Sequence, residues 1–147
     1  MKVLIDADGC PVTEIALRIC REFSVSCLIL CDTAHEFHLE GAETMVVDKG
    51  ADSVDFAIVR RLLPGDLVIT QDYGLASMCL TMHARAFHQN GWEYTAQNID
   101  ELLLQRHAAR KLRAAGAHLR GPAKRNRNQN KEFALFFRQL LQTTVQG

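Results

Sequence analysis

Four short runs of β-branched and other apolar residues fall within the first 70 residues, and they limit the folds open to this chain. The runs are KVLID (2–6), VSCLILC (25–31), TMVVD (44–48) and DLVIT (66–70). Segments with the 3.6-residue apolar period of helices follow the first, third and fourth runs, at 12–23, 49–63 and 73–84. Buried strands that alternate with helices are typical of an α/β fold. We therefore predict a three-layer α/β sandwich with a mostly parallel central sheet.

The remainder of the chain predicts a hairpin and two helices. The segment 84–95 surrounds Asn90-Gly91, a pair that favours a tight turn between two strands. A long helix is predicted over 98–116, with Asn98 as its N-cap and Gly116 at its end. A polar, basic loop (117–131) and an amphipathic helix (132–142) follow. The expected organisation is a single domain, 1–147, with a basic helix–loop–helix segment from about 98 to 147.

Cysteine usage and hydropathy indicate the cellular setting. The five cysteines are odd in number and form no CxxC pair, a pattern that favours reduced thiols in a cytoplasmic protein. No window approaches about 18 uninterrupted apolar residues, so no membrane span is expected. The residues before Asp6 do not resemble a signal peptide.

Aspartates follow all four apolar runs. Asp6 and Asp8 follow the first, Asp32 the second, Asp48 the third and Asp72 the fourth. The carboxyl ends of parallel strands share one edge of a sheet, where the ligand sites of α/β proteins lie. Clustered carboxylates repel one another unless a cation offsets their charge. The pattern therefore predicts a site for Mg²⁺ or Mn²⁺, ions that favour carboxylate oxygens.

Aspartate also caps helices and starts turns, so a strand-end aspartate has a structural alternative. We interpret Asp32 as such a cap or turn residue, and Asp48 stays open between the two roles. Asp52 and Asp55 begin the helix after the third run, where a carboxylate also favours the positive helix end. Asp52 is preferred as a ligand because it lies nearer the strand, and Asp55 is the alternative. The predicted metal ligands and catalytic residues are Asp6, Asp8, Asp52 and Asp72.

Charge is distributed unevenly along the chain. Residues 1–101 hold 7 Lys and Arg against 16 Asp and Glu, whereas residues 102–147 hold 10 against 1. A basic segment of this kind can be a solvated helix face, a segment that docks on the acidic part of its own fold, or a surface for a polyanion. The absence of acidic residues over 102–131 favours nucleic acid, bound through its phosphates. The residues of this basic tract are Arg106, Arg110, Lys111, Arg113, Arg120, Lys124, Arg125, Arg127 and Lys131.

Four blocks in order give the chain a specific resemblance over essentially its whole length. They are VLIDADGCPV (3–12), DKGADSVDFAIV (48–59), DLVITQDYGLA (66–76) and RGPAK (120–124). Together they resemble the YaiI/YqxD family, bacterial proteins of unassigned function that are grouped with the PIN-like nucleases, including the NYN subgroup. The resemblance implies a PIN-like fold and hydrolysis of phosphodiester bonds with Mg²⁺ or Mn²⁺. We expect RNA rather than DNA as the nucleic-acid partner.

The resemblance also assigns positions. Asp6 with Asp8 matches the aspartate after the first strand of PIN-like nucleases, and Asp52 matches the acidic residue that begins a middle helix. Asp72 matches the aspartate after the fourth strand, and Thr70 the small hydroxyl residue two positions before it.

Two other functions compete with this interpretation. IDADGCPV is similar to the opening of haloacid-dehalogenase-like phosphatases, and DLVIT to their strand that ends in threonine. Those enzymes also need a downstream lysine and a strand that ends in paired acids, for which this chain offers no match after Thr70. The second competitor is a non-catalytic nucleic-acid-binding protein that keeps a PIN-like fold. Cys10, beside the DAD motif, and Tyr73, beside Asp72, are further possible site residues; the oligomeric state stays open.

Overall fold

The computed structural model describes residues 1–32, 43–47, 53–121 and 123–146. The described elements are, in chain order, β1 (Val3–Asp6), α1 (Thr13–Glu22), β2 (Cys27–Asp32), β3 (Glu43–Val47), α2 (Ser53–Arg61), β4 (Leu67–Ile69), α3 (Tyr73–Thr81), β5 (Arg85–His88), β6 (Trp92–Tyr94), α4 (Ala96–Ala114) and α5 (Arg127–Gln146).

The described strands form one sheet in the order β3-β2-β1-β4-β5-β6. Pairing is parallel throughout except between β5 and β6, which form the predicted hairpin. The chain builds outward from β1 to β2 and β3, then returns to the other side of β1 with β4 and β5. The strand order therefore reverses between β1 and β4, and a crevice opens at such a point in α/β sheets.

Both faces of the sheet are covered, which confirms the three-layer sandwich. Val3 and Ile5 of β1 are fully buried on the face covered by α1 and α5. Leu4 of the same strand is fully buried on the opposite face, with residues of α2, α3 and the beginning of α4. Successive strand side chains point to opposite faces, so burial on both explains the continuous apolar runs.

The beginnings of the last two helices differ from the sequence prediction. The prediction of Asn98 as the N-cap of α4 is wrong: Thr95 holds that position, and Asn98, the third residue of the helix, completes a capping box. Each of the two side chains bonds the backbone N–H of the other, at 3.1 and 2.8 Å. Asn126 and Gln129 exchange equivalent hydrogen bonds at 2.9 and 3.1 Å. Helix α5 therefore begins at Arg127, within the segment 117–131 predicted to be a loop.

Helix α5 packs on the fold through an apolar stripe. Phe133 and Phe137 are fully buried in the same cluster as Ile5. Arg138 adds a two-point ion pair with Glu22 of α1, at 2.9 Å for each contact. Apolar packing and this ion pair thus anchor the C-terminal helix on the fold.

Asp66, directly before β4, pairs with Lys2. Its carboxylate also accepts from the backbone N–H of Leu63 at 2.9 Å. None of the five cysteines, all of which lie in the described residues, forms a disulfide. The helices that the structure describes include none with the length and apolar character needed to cross a bilayer.

Candidate functional site

The carboxyl ends of β1 and β4 meet at the point where the strand order reverses. Asp6 is the last residue of β1, and Asp72 follows β4 by three positions. Ile5 and Ile69 are paired in the parallel register, so the two strand ends lie side by side. The sheet therefore brings together two of the aspartates that the sequence singles out.

These aspartates open onto a cleft of about 270 Å³, which we call the acidic cleft. Its walls come from the ends of β1, β2 and β4 and from the first turn of α2. The lining residues are Asp6, Asp8, Asp32, Ser53, Val54, Asp55, Gln71 and Asp72.

Thr70 ties the two central aspartates together. Its buried hydroxyl donates to Asp6 Oδ2 at 2.8 Å and accepts from the backbone N–H of Asp72 at 3.0 Å. The backbone carbonyl of Thr70 accepts in turn from the buried Tyr94 hydroxyl at 3.0 Å. Because the hydroxyl both donates and accepts, it fixes the Asp6 carboxylate relative to the chain that carries Asp72.

Asp72 is held by the helix that it begins. It is the N-cap of α3, and its Oδ1 accepts from the N–H groups of Gly74 at 2.8 Å and Leu75 at 3.2 Å. Arg106 Nη1 of α4 lies 3.8 Å from the same oxygen. These contacts orient the carboxylate at the mouth of the cleft.

Some of the other acidic candidates line the acidic cleft, and the rest lie outside the described residues. Asp8 Oδ1 accepts from the backbone N–H of Asp32 at 3.3 Å, so Asp32 supports Asp8 in addition to lining the cleft. Asp55, the alternative middle acid, reaches the cleft from the first turn of α2. Asp48 and Asp52 lie outside the described residues.

Burial raises the pKa of Asp6 from 3.8 to about 6. The hydrogen bond from Thr70 lowers that pKa, whereas the charges of Asp55, Asp8 and Asp72 raise it further. The carboxylate at the centre of the cleft is therefore in an environment that disfavours its charge, and a cation there would reverse that effect.

The donor set of the cleft fits a hard divalent cation. Mg²⁺ is commonly held by one or two carboxylates, with waters and substrate phosphate oxygens as its other ligands. Among the residues that the structure describes, no three His, Cys, Asp or Glu side chains form a ready-made metal cage. Asp6 and Asp72, joined through Thr70, supply the smaller number of carboxylates that Mg²⁺ needs.

A second cavity of about 360 Å³, the arginine pocket, adjoins the acidic cleft. Asp55 and Asp72 line both spaces, while Arg106 and Arg110 of α4 are found only in the second. The exposed Phe56 lies at its wall together with Met78. Sequence reasoning missed these two apolar residues, because an exposed apolar residue in a helical pattern has no signature that separates it from a core residue.

The other residues of the basic tract lie in two settings. Arg125 is engaged within the fold, where its guanidinium donates to Gln89 O at 2.8 Å and to Asn130 Oδ1 at 2.7 Å. The rest of the basic tract is exposed, namely Lys111, Arg113, Arg120, Lys124, Arg127 and Lys131.

The two further candidates lie beside the cleft. Burial raises the pKa of the Cys10 thiol, so this residue is a protonated thiol at neutral pH. Tyr73 packs edge-on against Tyr94, with ring centroids 6.0 Å apart. Gln71, which the sequence analysis did not select, lines the cleft between Thr70 and Asp72; its position directly after a strand was the available signal.

Gly9 shapes the loop that presents Asp8. It has a φ of +71°, and the Cys10 N–H donates to Ala7 O at 3.1 Å across the turn. We expect Gly9→Ala to lower the free energy of unfolding by about 1–2 kcal/mol through left-handed backbone strain. The new Cβ would lie 3.1 Å from Gln71 Nε2, the end of an exposed side chain that can move aside, so this contact adds no expected loss.

Gly65→Ala is the matched control for this prediction. Gly65 has a φ of +87°, with none of the described atoms within 4 Å of an added Cβ. Urea denaturation of both variants measures the difference. A much larger loss of stability for Gly9→Ala than for Gly65→Ala would contradict backbone strain as the common cause.

Comparison with known proteins places the chain among relatives that align over almost its full length. Residues 4–143 match the model of a family described as uncharacterised BCR, YaiI/YqxD family. The UPF0178 protein of Exiguobacterium sibiricum is 48% identical over 141 residues, which cover 96% of each chain. The UPF0178 protein of Natranaerobius thermophilus is 46% identical over 131 residues, 88% of this chain and 89% of that protein. No solved structure gives a significant match.

Proposed function

The chain belongs to the YaiI/YqxD family of uncharacterised bacterial proteins, and we propose that it is a metal-dependent nuclease that hydrolyses phosphodiester bonds of RNA. The observation that supports this most strongly is the acidic cleft at the reversal of strand order. There, two strand-end carboxylates are joined through the hydroxyl of Thr70. A constellation on neighbouring strand ends of a rigid sheet holds its geometry better than one on loops.

Asp6 and Asp72 are the proposed metal ligands, with Asp8 and Asp55 on the same cleft. A bound Mg²⁺ or Mn²⁺ would lower the pKa of a water and offset the charge that develops on the phosphate. Hydrolysis joins the oxygen of water to phosphorus and breaks one bond from phosphorus to a ribose oxygen, which takes up a proton. The contribution of Thr70 is to hold the Asp6 carboxylate in place during these changes.

Arg106 and Arg110 are the proposed phosphate contacts. They line the arginine pocket beside Asp72, so a strand whose scissile phosphate lies in the cleft would place a neighbouring phosphate near them. The exposed residues Lys111 and Arg113 extend the positive charge along α4. Phosphate contacts of this kind make affinity fall as salt rises.

The proposed RNA substrate is single-stranded, and aromatic side chains near the cleft support this. Proteins that recognise RNA most often bind single-stranded regions, whose exposed bases stack on aromatic rings. Phe56 is 65% exposed at the arginine pocket, where such stacking is sterically open.

A cleavage assay with end-labelled single-stranded RNA tests the proposal. We expect products with Mg²⁺ or Mn²⁺ and none in EDTA. Asp72→Asn should lower the rate at least about 100-fold, a loss typical of removing one group that stabilises the transition state. Asparagine caps helices as well as aspartate does, so the variant should keep α3 intact.

Asp100→Asn is the matched control, since Asp100 is exposed on α4 and the substitution makes the same change in charge. Two outcomes would contradict the proposal. Salt-sensitive RNA binding without cleavage would favour the non-catalytic function. Release of phosphate from a phosphomonoester, with intact RNA, would favour the phosphatase.

A further inference from the structure

A third cavity lies on the far side of Gln71 from the acidic cleft. Its volume is about 530 Å³, within the range of roughly 300–1,000 Å³ typical of small-molecule sites. We call it the aromatic cavity, after the rings of Tyr73, His88 and Trp92 in its walls. Gln71 lines both spaces, so a ligand in the cavity would lie next to anything held in the acidic cleft.

The rings form a connected, fixed wall. His88 and Trp92 stack face to face, with centroids 4.5 Å apart and planes within 7° of parallel. Trp92 meets Tyr94 edge-on at 4.7 Å, and Tyr94 meets Tyr73 in the same way at 6.0 Å. Rings locked by their neighbours lose little conformational entropy when a flat ligand packs on them.

Neutral donors and acceptors surround these rings. Burial, reinforced by the charge of Arg125, lowers the pKa of His88 to about 4, so the imidazole is neutral at pH 7. His88 Nδ1 accepts from the Asn90 N–H at 3.0 Å, which leaves the proton on Nε2 as a donor. The Gln129 side chain lines the cavity, and its amide oxygen accepts from the Asn126 N–H. The amide NH₂ of Gln129 is therefore a second group that can donate to a ligand.

One acceptor in this wall lacks a partner among the described residues. Gln89 Oε1 is buried, and no donor within 1–32, 43–47, 53–121 or 123–146 reaches it. This atom has almost no accessible surface, so a ligand in the cavity would be held by the ring wall and by the donors of His88 and Gln129 instead.

Arg125, the cationic residue in the cavity wall, forms its hydrogen bonds within the protein. Arg125 directs its guanidinium to Gln89 O, Asn90 Oδ1 and Asn130 Oδ1. It therefore ties the β5–β6 turn to the beginning of α5 and builds the wall. The aromatic rings and neutral hydrogen-bonding groups of the cavity suit a flat, neutral ligand with amide-like edges better than an anion.

We propose that the aromatic cavity binds a nucleobase of the substrate, and that the substrate is therefore single-stranded next to the scissile phosphate. This inference rests on the proposed function, because the cavity is assigned to the strand whose phosphate occupies the acidic cleft. A base within a duplex is paired and stacked, so it could enter the cavity only after leaving its helix.

Trp92 is the sole tryptophan of the chain and reports directly on the cavity. Wild-type protein in EDTA is titrated with AMP, with UMP and with ribose 5-phosphate, which has the sugar and phosphate but no base. We expect saturable quenching of tryptophan fluorescence by at least one nucleotide and none by ribose 5-phosphate. A single-stranded RNA hexamer should quench at lower concentration than the nucleotide, and the same hexamer in a duplex should not quench.

Gln71→Ala should weaken nucleotide quenching about tenfold, whereas Gln105→Ala should leave it unchanged. Both glutamines are exposed, but Gln105 lies on α4 outside the cavity. Three results would overturn the inference. They are equal quenching by nucleotide and ribose 5-phosphate, equal quenching by single strand and duplex, and no quenching by either nucleotide. No turnover is needed, so a protein that binds bases but cleaves nothing would retain this site while contradicting the proposed nuclease.

Discussion

Asp6→Asn is expected to abolish metal-dependent cleavage, with a loss of rate of at least about 100-fold, while the protein stays folded. The carboxylate lies at the centre of the acidic cleft and accepts from Thr70 at 2.8 Å. An amide of the same shape retains an oxygen for that hydrogen bond but lacks the charge that a divalent cation requires. Initial rates of RNA cleavage at saturating Mn²⁺ measure the effect.

Calorimetric titration with Mn²⁺ accompanies this measurement. The variant should lose most of the heat of binding, and Asp100→Asn, a remote change of the same charge, should retain it. A variant that binds Mn²⁺ normally and still cleaves RNA would show that Asp6 is not a ligand, and the centre of the site would then lie elsewhere.

The stability of the metal-free protein is expected to fall as pH rises through about 6, and Asp6 is the cause. Its pKa is raised from 3.8 in the unfolded chain to about 6 in the folded protein, first by burial. The folded state therefore binds the proton more tightly, and this stabilisation is complete below pH 3.8 and lost as pH rises through about 6. A shift of this size corresponds to up to about 3 kcal/mol, at 1.36 kcal/mol for each pKa unit.

Asp6→Asn isolates this contribution, because asparagine does not titrate. In EDTA, the free energy of unfolding of the variant should exceed that of the wild type increasingly between pH 4 and pH 7, as measured by urea denaturation. Addition of Mn²⁺ at pH 7 should stabilise the wild type selectively, since a ligand that binds only the folded state shifts unfolding. A stability difference independent of pH would contradict the raised pKa.

The strands were predictable because their chemistry is local. A run such as VLI, with burial on both faces, has few solutions other than a central strand of a covered sheet. The carboxylates at the ends of β1 and β4 followed from the same reasoning, since parallel neighbours bring their carboxyl ends together. Thr70 was anticipated through the family pattern, and the structure shows its two hydrogen bonds.

The aromatic cavity was not predictable in the same way. Its walls come from Gln71 after β4, Trp92 in β6 and Gln129 in α5, which are far apart in sequence and have no shared motif. Helix boundaries failed for a related reason. Several residues near 95–98 and 126–129 can cap a helix, and only the reciprocal bonds of Thr95 with Asn98 and of Asn126 with Gln129 decide between them.

The packing of α5 against α1 also has a consequence for biosynthesis. The two helices, separated by about a hundred residues, cover one face of the sheet together, and Phe133 and Phe137 complete the core beneath it. During translation, α1 alone covers that face until residues 127–146 have left the ribosome, and the wall built by Arg125 and Gln129 is missing for as long. A nascent chain would thus complete the wall of the aromatic cavity only once α5 has been made.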